Sequence, residues 1–407
     1  MNTPTHTAAA TSSNAEPAPR ARWTVLFAFV LVAMVTQLLW LNFAPLLVEI
    51  QQRYQVDELV ASLLVLPFPL LYVFLSIPAG RLIDRLGYRK VAGLGAVVTA
   101  VGSLLRLDTD HFTSLLAGQL VIAAAQPFVV NSISKLVADW FPGEEQALAT
   151  GLGTVGMFFG MALGMATTPA LEAATSLRGA MAINSAVAFA AVGAWYTLCR
   201  ERGVAKQENP SPFGALLRNR RLLLLVGLAL LGLGYFNGLT TWLELLLKPR
   251  GINAEQAGIV GGVIIVGGIV GAILVPLAAD HLRIRRVPLI VCVVCAALCN
   301  VWLTTSVSYG MLLASGAALG FVFMPAFALL LAMTGEVVDQ RDNGAATGLV
   351  MLAGNGGGVA VILAMPATGD WAGWGPWILL GVLTSLAAGL SLLAPETFPT
   401  AAGRQEP

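Results

Sequence analysis

The stretch GRLIDRLGYRK, residues 80–90, follows twenty almost wholly apolar residues, VASLLVLPFPLLYVFLSIPA. Its eleven positions hold five charged side chains, although only 11% of the chain is charged. Cations alone are enough to hold a loop on the cytoplasmic side of a membrane, so a purely topogenic loop needs neither Asp84 nor the glycines Gly80 and Gly87. The stretch therefore predicts a loop with a conformational role, placed directly after a membrane-spanning helix.

The composition of the whole chain indicates a membrane protein. Of its 407 residues 57% are hydrophobic, and the mean hydropathy is +0.78, which is more apolar surface than a soluble chain of this length could bury. Helices suit the long apolar runs better than barrel strands, because a spanning helix has about 20 apolar residues and a spanning strand about 10 alternating ones. The predicted fold class is an all-α membrane protein.

Charge, cysteine and histidine content argue against several other functions. The net charge of +1 gives no reason to expect a nucleic-acid partner. Cys292, Cys295 and Cys299 lie in one apolar run without a histidine or an acid, so they are expected to be packing residues rather than metal ligands. The histidines are too scattered for a catalytic constellation: His6, His111 and His281. We therefore expect no enzyme, no cofactor and no metal.

Apolar runs separated by short polar clusters predict twelve spans, at 23–48, 60–80, 90–106, 113–138, 147–170, 179–199, 222–247, 257–279, 287–306, 309–335, 344–368 and 373–394. With both termini placed inside, the cytoplasmic segments hold eighteen Lys and Arg residues and the opposite segments hold five. This positive-inside bias predicts a multi-pass protein of the cell membrane with both termini cytoplasmic.

The spans divide into two sets of six. The polar, Pro-containing start of the chain is typical of a disordered tail and lacks the pattern of a cleaved signal peptide. The predicted organisation is a tail, an N-terminal half, a charged cytoplasmic linker, a C-terminal half and a second cytoplasmic tail, at 1–22, 23–199, 200–221, 222–394 and 395–407.

Three short matches suggest that the two halves arose by duplication. DRLGYRK at Asp84 resembles DHLRIRR at Asp280, ATGL occurs at 149–152 and again at 346–349, and Pro127 corresponds to Pro325. The offsets are all between 196 and 198 residues. Two six-span repeats of this kind predict a substrate site between them, near the middle of the membrane.

The loop 80–90 resembles the signature loop between spans two and three of the major facilitator superfamily. The resemblance covers essentially the whole chain and implies the twelve-helix fold of that superfamily. It also implies a cytoplasmic latch, in which the aspartate, here Asp84, pairs with a loop arginine and faces the helix that starts near Asn343. The latch residues are then Gly80, Asp84, Arg85, Gly87, Arg89 and Lys90.

Glu244 is the one acidic candidate inside the spans, near the outer end of span seven. It is either a substrate counter-ion or proton carrier, as intramembrane ionisable groups usually are, or a surface partner of Lys248 four residues on. Asn237, Thr240 and Thr241 lie on the same helix face, which favours a polar cavity wall.

The other interior polar residues are mostly amides, accompanied by aromatic side chains. Gln37 and Trp40 lie three residues apart on nearly the same face of span one. We find no deep Arg or Lys in the sequence, and an anionic substrate would therefore be uncompensated. A neutral, amphipathic, zwitterionic or cationic solute is expected.

Two stretches resemble the feline leukaemia virus subgroup C receptor group, solute carrier family 49, whose members are linked to choline and haem transport: WLNFAP at 40–45 and AQPFVVNSISKLVADWFPGEEQALATG at 125–151. The resemblance places a substrate-boxing tryptophan at Trp40 and a glutamine at Gln126. The group's span-seven aromatic falls on Asn237, preceded by Tyr235, and a span-eleven glutamine falls on Asn355. The ligand box is thus only partly kept.

The function predicted is secondary transport of a small organic solute by alternating access, by a monomer, with facilitated diffusion favoured over proton coupling. The substrate-binding residues predicted are Gln37, Trp40, Gln126, Tyr235, Asn237, Glu244 and Asn355. The alternatives are a proton-coupled antiporter for drugs or metabolites and, in another class, a non-transporting membrane sensor. The Gly-Pro signature of drug antiporters is missing at Gly160–Met161, which lowers the weight of the first alternative.

Overall fold

The computed structural model describes residues 19–202, 216–339 and 342–398. These ranges leave out most of the predicted N-terminal tail, the middle of the predicted linker and the end of the predicted C-terminal tail. They also leave out Gln340 and Arg341. Every regular element within the ranges is helical. The all-α prediction is therefore confirmed for the described part of the chain.

The chain forms fifteen α-helices of very different length within the described residues. In order they are α1 Pro19–Leu41, α2 Leu47–Tyr54, α3 Glu58–Ser62, α4 Pro67–Leu86, α5 Tyr88–Leu105, α6 Phe112–Val130, α7 Ser132–Trp140, α8 Gly143–Ala174, α9 Leu177–Leu198, α10 Arg220–Leu247, α11 Ala254–Leu282, α12 Arg286–Thr305, α13 Tyr309–Glu336, α14 Asn343–Ala364 and α15 Gly375–Ser391.

Nine helical segments of the described chain are long and apolar enough to cross a membrane. A chain with this many such segments is a multi-pass membrane protein. Three predicted spans are not single helices. The second, 60–80, contains a turn at residues 63–66 between α3 and α4. The first ends at Leu41, where a 3₁₀ turn over Ala44–Leu46 contains Pro45, and the fourth is interrupted at Asn131, four residues after Pro127. Proline has no N–H to donate to the helix ladder, so the interruptions of the first and fourth spans lie near a residue that weakens it.

The helices pack as two groups, α1 with α4–α9 and α10–α15, and most contacts run within each group. The approach of α1 to α8 shows why glycine is required in the first group. A Cβ atom at Gly160 would lie 2.0 Å from the carbonyl oxygen of Met34. Only a residue without a side chain allows this backbone contact.

The bundle has two ends that differ in how the groups meet. We call the end with the loop 80–90 and the α11–α12 loop the basic end, and the opposite one the Glu244 end. At the Glu244 end, the backbone N–H of Val48 donates to Glu244 Oε2 over 2.9 Å, from one group to the other. There α8 also approaches α11 so closely that a Cβ at Gly258 would lie 2.3 Å from Met165 O.

At the basic end no such contact joins the described residues of the two groups. Asp84 is exposed, and Gly80 of α4, Gly151 of α8 and Gly348 of α14 have no neighbour within 4 Å of a Cβ position. Leu282, the last residue of α11, is 62% exposed. The bundle is therefore closed at the Glu244 end and separated at the basic end.

Candidate functional site

Helix α1 carries two buried polar groups that have no partner. Gln37 is 3% exposed and Trp40 is 7% exposed. Within the described part of the chain, Gln37 Oε1 and Trp40 Nε1 make no hydrogen bond. The Trp40 ring stacks on Phe68 of α4, with 5.8 Å between centroids and 19° between planes. An unpaired acceptor and an unpaired donor one turn apart are what a polar ligand could satisfy, since buried polar groups normally find partners.

Gln126 on α6 is also buried, and its side chain makes no hydrogen bond with any described residue. One turn further on, Asn131 ties α6 to α4. The hydroxyl of Tyr72 donates to Asn131 Oδ1 over 2.5 Å, and Asn131 Nδ2 donates to Ser76 Oγ over 3.1 Å. Tyr72 thus binds a neighbouring helix. Gln126 keeps its amide available beside this fixed network.

Tyr235 lies inside the second helix group. Its hydroxyl donates to Asn300 Oδ1 of α12 over 2.9 Å, and its ring is 5.6 Å from that of Phe323 on α13. These contacts direct the side chain away from α1. A position opposite Trp40 would require Tyr235 to leave this hydrogen bond.

The two predicted site asparagines of the second group are Asn237, at the contact between α10 and α14, and Asn355 on α14. Asn237 Nδ2 donates to Leu233 O over 2.8 Å, and a Cβ at Gly358 would lie 2.7 Å from the same nitrogen. The half-buried Asn355 donates from Nδ2 to Met351 O over 2.9 Å. Each amide nitrogen is therefore occupied within its own helix, while neither amide oxygen accepts a hydrogen bond in the described chain.

Glu244 stands apart from the other predicted site residues. It is 4% exposed, and its carboxylate accepts a hydrogen bond from Val48, the second residue of α2. Lys248 is exposed, and within the described residues no ion pair of 4 Å or less joins it to Glu244. The pairing with Lys248 is therefore not made in this structure. No hydrogen bond joins any two of the seven predicted substrate-binding residues in the described chain.

The loop 80–90 and its second copy differ in their contacts. Across the described residues, Asp84 makes no ion pair. In the copy, Asp280 Oδ1 lies 2.5 Å from Arg285 Nη1, and Arg285 Nε donates to Glu336 Oε1 over 3.0 Å. Glu336 was not predicted from the sequence. Its position at the end of α13, one loop before the helix that starts at Asn343, could have indicated a partner for the second copy of the loop.

A short segment after α15 closes over the second copy. The Glu396 carboxylate accepts hydrogen bonds from the backbone N–H of Arg285, over 2.9 Å, and of Arg286, over 3.2 Å. These are the first N–H groups of α12, which have no partner within the helix. Thr397 Oγ1 donates to Glu336 Oε2 over 2.6 Å. The basic end of the second group is thus held by backbone caps as well as by ion pairs.

Arg106 corrects the expectation that no basic group reaches the interior of the first six spans. Its side chain is fully buried, and Nη1 donates to Gln119 Oε1 over 3.1 Å. The guanidinium also lies 5.4 Å from the ring of Phe43. Arg106 follows the last residue of α5, so its long side chain extends inward from the end of a predicted span. In the sequence, Gln119 stands out as a polar residue in an apolar run, which indicates that it needs a buried polar partner such as Arg106.

In the described residues no three His, Cys, Asp or Glu side chains stand close enough to hold a metal ion.

Comparison with known proteins identifies the family of this fold. The sequence pattern of the Major Facilitator Superfamily matches residues 25–361. The chain belongs to the major facilitator superfamily. The match covers most of both helix groups, including the loop 80–90. The resemblance that this loop carried is therefore confirmed.

The relatives of this superfamily member include proteins of solute carrier family 49. Solute carrier family 49 member A3 of Danio rerio is 28% identical over 286 residues, which cover 64% of this chain and 60% of that protein. The choline/ethanolamine transporter flvcr2b of Danio rerio is 24% identical over 287 residues, covering 64% and 59%. The choline/ethanolamine transporter FLVCR2 of Homo sapiens is 23% identical over 403 residues, covering 91% and 77%. The chain spans about 60% of the length of the first two.

A solved structure shows the same fold. The crystal structure of a bacterial homologue of the human lysosomal transporter Spinster, inward-facing and unoccupied, superposes with a TM-score of 0.70. The two chains are 15% identical, and the match covers 93% of this chain and 97% of the other. The similarity supports the major facilitator architecture of the described helices.

Proposed function

We propose that this chain is a secondary transporter that moves a small organic solute across the cell membrane by alternating access. The observation that carries the proposal is the asymmetry of the bundle. The two helix groups meet through Val48 and Glu244 at one end and are separated at the other. On the side of the closed end, Gln37 and Trp40 of α1 offer polar atoms that have no partner among the described residues. A solute could enter from the basic end, reach these groups and be blocked at the Glu244 end.

The proposed architecture has twelve spans in two pseudo-repeats joined by a cytoplasmic linker. Helices α1, α4, α5, α6 with α7, α8 and α9 supply the first six spans, and α10–α15 supply the other six. The positive-inside bias, eighteen against five, supports a cytoplasmic basic end and cytoplasmic termini. In this orientation the structure is inward-facing. We further propose a monomer, because each group already packs its helices against the other without a second copy.

The proposed latch is the loop 80–90, acting when the basic end closes. In the present state Asp84 makes no ion pair with a described residue, because its proposed partner, the start of α14, lies across the separated end. A carboxylate at a helix N-terminus is favourable because the first N–H groups there are unpaired and the dipole is positive. Closing the basic end would bring the two together.

The substrate class proposed is a cationic or zwitterionic amine, with a neutral amphipathic solute as the second choice. Trp40 presents an aromatic ring, and a cation over such a ring gains about 0.5–2 kcal/mol without a counter-charge. Arg106 does not oppose this proposal, since it is enclosed between α1, α5 and α6. Two of the relatives are named for choline and ethanolamine, which belong to the same chemical class.

Facilitated diffusion is favoured over proton-coupled antiport. Among its described side chains the first helix group shows no buried acid, and Glu244 is engaged with a backbone N–H at one end of the bundle. A proton carrier would need access from both sides in turn. The non-transporting sensor remains the alternative. It would share all the structural features described above and would differ only in binding the solute without moving it across the membrane.

The test combines a screen with a transport assay. Purified protein is screened against a metabolite panel by thermal shift, and each hit is tested for uptake into proteoliposomes, with and without a pH gradient. Trp40→Leu should lose the shift and the uptake. Trp302→Leu is the matched control, because Trp302 is 41% exposed on α12. Binding without uptake would favour the sensor, and gradient-dependent uptake would favour the antiporter.

A further inference from the structure

Helix α2 receives its N-terminal cap from the other helix group. It begins at Leu47, and the residue before it, Leu46, has no side chain able to accept a hydrogen bond. The N–H groups of a first helical turn have no partner within the helix. At this terminus Glu244 of α10 supplies an acceptor, with Oε2 at 2.9 Å from the N–H of Val48.

The charge of Glu244 suits this position. The N-terminus of a helix carries the positive end of the backbone dipole, so it favours a carboxylate. Glu244 is 4% exposed, and a buried carboxylate needs such partners. Other charged groups nearby are Glu49 on α2 and the exposed Lys248 on α10. In the described chain no ion pair neutralises Glu244, so the end of α2 is its principal partner.

The same contact joins the two halves of the proposed transporter. Helix α2 follows α1 through the turn Ala44–Leu46, and α1 carries Trp40. Glu244 lies on α10, two turns after Asn237. When this end of the bundle opens, α2 loses its cap and Glu244 loses its buried partner together. Water can replace both contacts, but only after the end has separated.

We propose that Glu244 is the residue that holds the Glu244 end closed, by capping α2 across the two helix groups. The conformational equilibrium of the bundle then depends on this carboxylate. Loss of a hydrogen bond to a charged acceptor should raise the ratio of open to closed molecules at this end by about ten- to a hundredfold. A neutral amide in the same position should raise it less, because it still accepts a hydrogen bond.

The experiment measures two distances in a cysteine-free full-length chain reconstituted in nanodiscs without solute. Spin labels at Gln52 and Ala367, both exposed, report the Glu244 end, where the neighbouring Gln51 and Pro366 line one groove. Labels at Arg81 and Gly348 report the basic end. Glu244→Ala should add a longer population to the first pair and a shorter one to the second. Glu244→Gln should give a smaller shift in the same direction.

The matched control is Glu255→Gln, which removes a carboxylate from the exposed first turn of α11. It should leave both distance distributions as in the unmutated chain. Glu244→Gln keeps the shape of the side chain, so it decides the question if Glu244→Ala does not fold. Distributions equal to those of the control in the folded Glu244 variants overturn the proposal. Since no solute is present, a chain without any flux would refute the transport function and leave this inference standing.

Discussion

Replacing Gly160 by alanine should loosen the packing of α1 on α8 and lower the stability of the first helix group. The added Cβ would lie 2.0 Å from Met34 O, 2.7 Å from Met34 C and 2.9 Å from Met34 Cα. All three atoms belong to the backbone, so no side-chain rotation can relieve the contact. Ordinary contacts begin at 3.4 Å, and the helices would have to separate by more than about 1 Å.

Overpacking of this kind costs about 1–3 kcal/mol. For a unit of 150–250 residues each kcal/mol moves Tm by about 2–4 °C, so the melting temperature should fall by about 2–12 °C. Gly193→Ala on α9 is the matched control, because no atom lies within 4 Å of its Cβ position. Alanine stabilises a helix interior by about 0.5–1 kcal/mol relative to glycine, so the control should melt slightly higher than the unmutated chain.

The assay is thermal unfolding of both variants in one detergent, followed by intrinsic fluorescence and checked by size exclusion. The two substitutions add the same methyl group to helical glycines, and only the space around them differs. Opposite signs are therefore expected. A Gly160→Ala variant that melts at or above the temperature of the Gly193→Ala variant would show that α1 and α8 do not pack as described.

Three further predictions concern the site and the basic end. For a cationic solute, Trp40→Phe should retain part of the affinity, and Trp40→Leu should lose most of it, a weakening of about 2- to 30-fold. Both affinities are measured by calorimetry on a hit from the screen. Equal affinities of the Phe and Leu variants would exclude a cation over the ring. Asp84→Asn should reduce closure of the basic end in the spin-label assay, and an unchanged distribution would leave the loop only its topogenic role. Burial raises the pKa of Glu396, but four backbone N–H groups, including those of Arg285 and Arg286, outweigh it and hold the pKa below its ordinary value. A lowered pKa adds stability above the unfolded pKa that is lost as pH falls through the folded pKa, so Glu396→Gln should lower Tm most at pH 7 and progressively less as the pH falls into the acidic range.

The sequence predicted those features of the fold that depend on whether a segment lies in lipid or in water. Hydropathy and charge asymmetry are local properties, and they predicted the helices and both ends of the bundle. The breaks at Leu41 and Asn131 were missed because a proline near the end of an apolar run can either kink a helix or end it. That choice depends on the side chains packed around it, such as Tyr72 and Ser76 beside Asn131.

The site was less predictable because its residues are defined by distant partners. The amides Gln37, Gln126 and Asn237 are buried as the sequence suggested, whereas for Glu244 the sequence left an interior role and a surface pair with Lys248 both open. It could not show that Tyr235 binds Asn300, 65 residues away, or that Glu244 binds the backbone of Val48, 196 residues away. A backbone donor has no sequence signature, so only the folded chain shows that the carboxylate is a cap.

Two arginines at the Glu244 end, the buried Arg106 and the half-buried Arg250, show why a comparison at one fixed residue offset misses some contacts. Arg106 follows α5 and reaches Leu39 O near the end of α1, over 3.5 Å. Arg250 follows α10 and reaches Leu303 O and Thr304 O at the end of α12, over 3.0 and 2.6 Å. Helix C-termini carry unpaired carbonyls and the negative end of the dipole, so a cation suits both places.

In the proposed duplication α1 corresponds to α10 and α5 corresponds to α12. The first half therefore sends an arginine from its third span to its first, and the second half sends one from its first span to its third. The two arginines thus join corresponding spans, but the helix that carries the cation is exchanged. Arg106 and Arg250 are 144 residues apart, far from the offset of 196 to 198 that relates the two loops. A comparison at one fixed offset finds only residues that occupy the same position in both halves. The carbonyl groups at the end of a helix, however, can receive a hydrogen bond from a cation on either neighbouring helix.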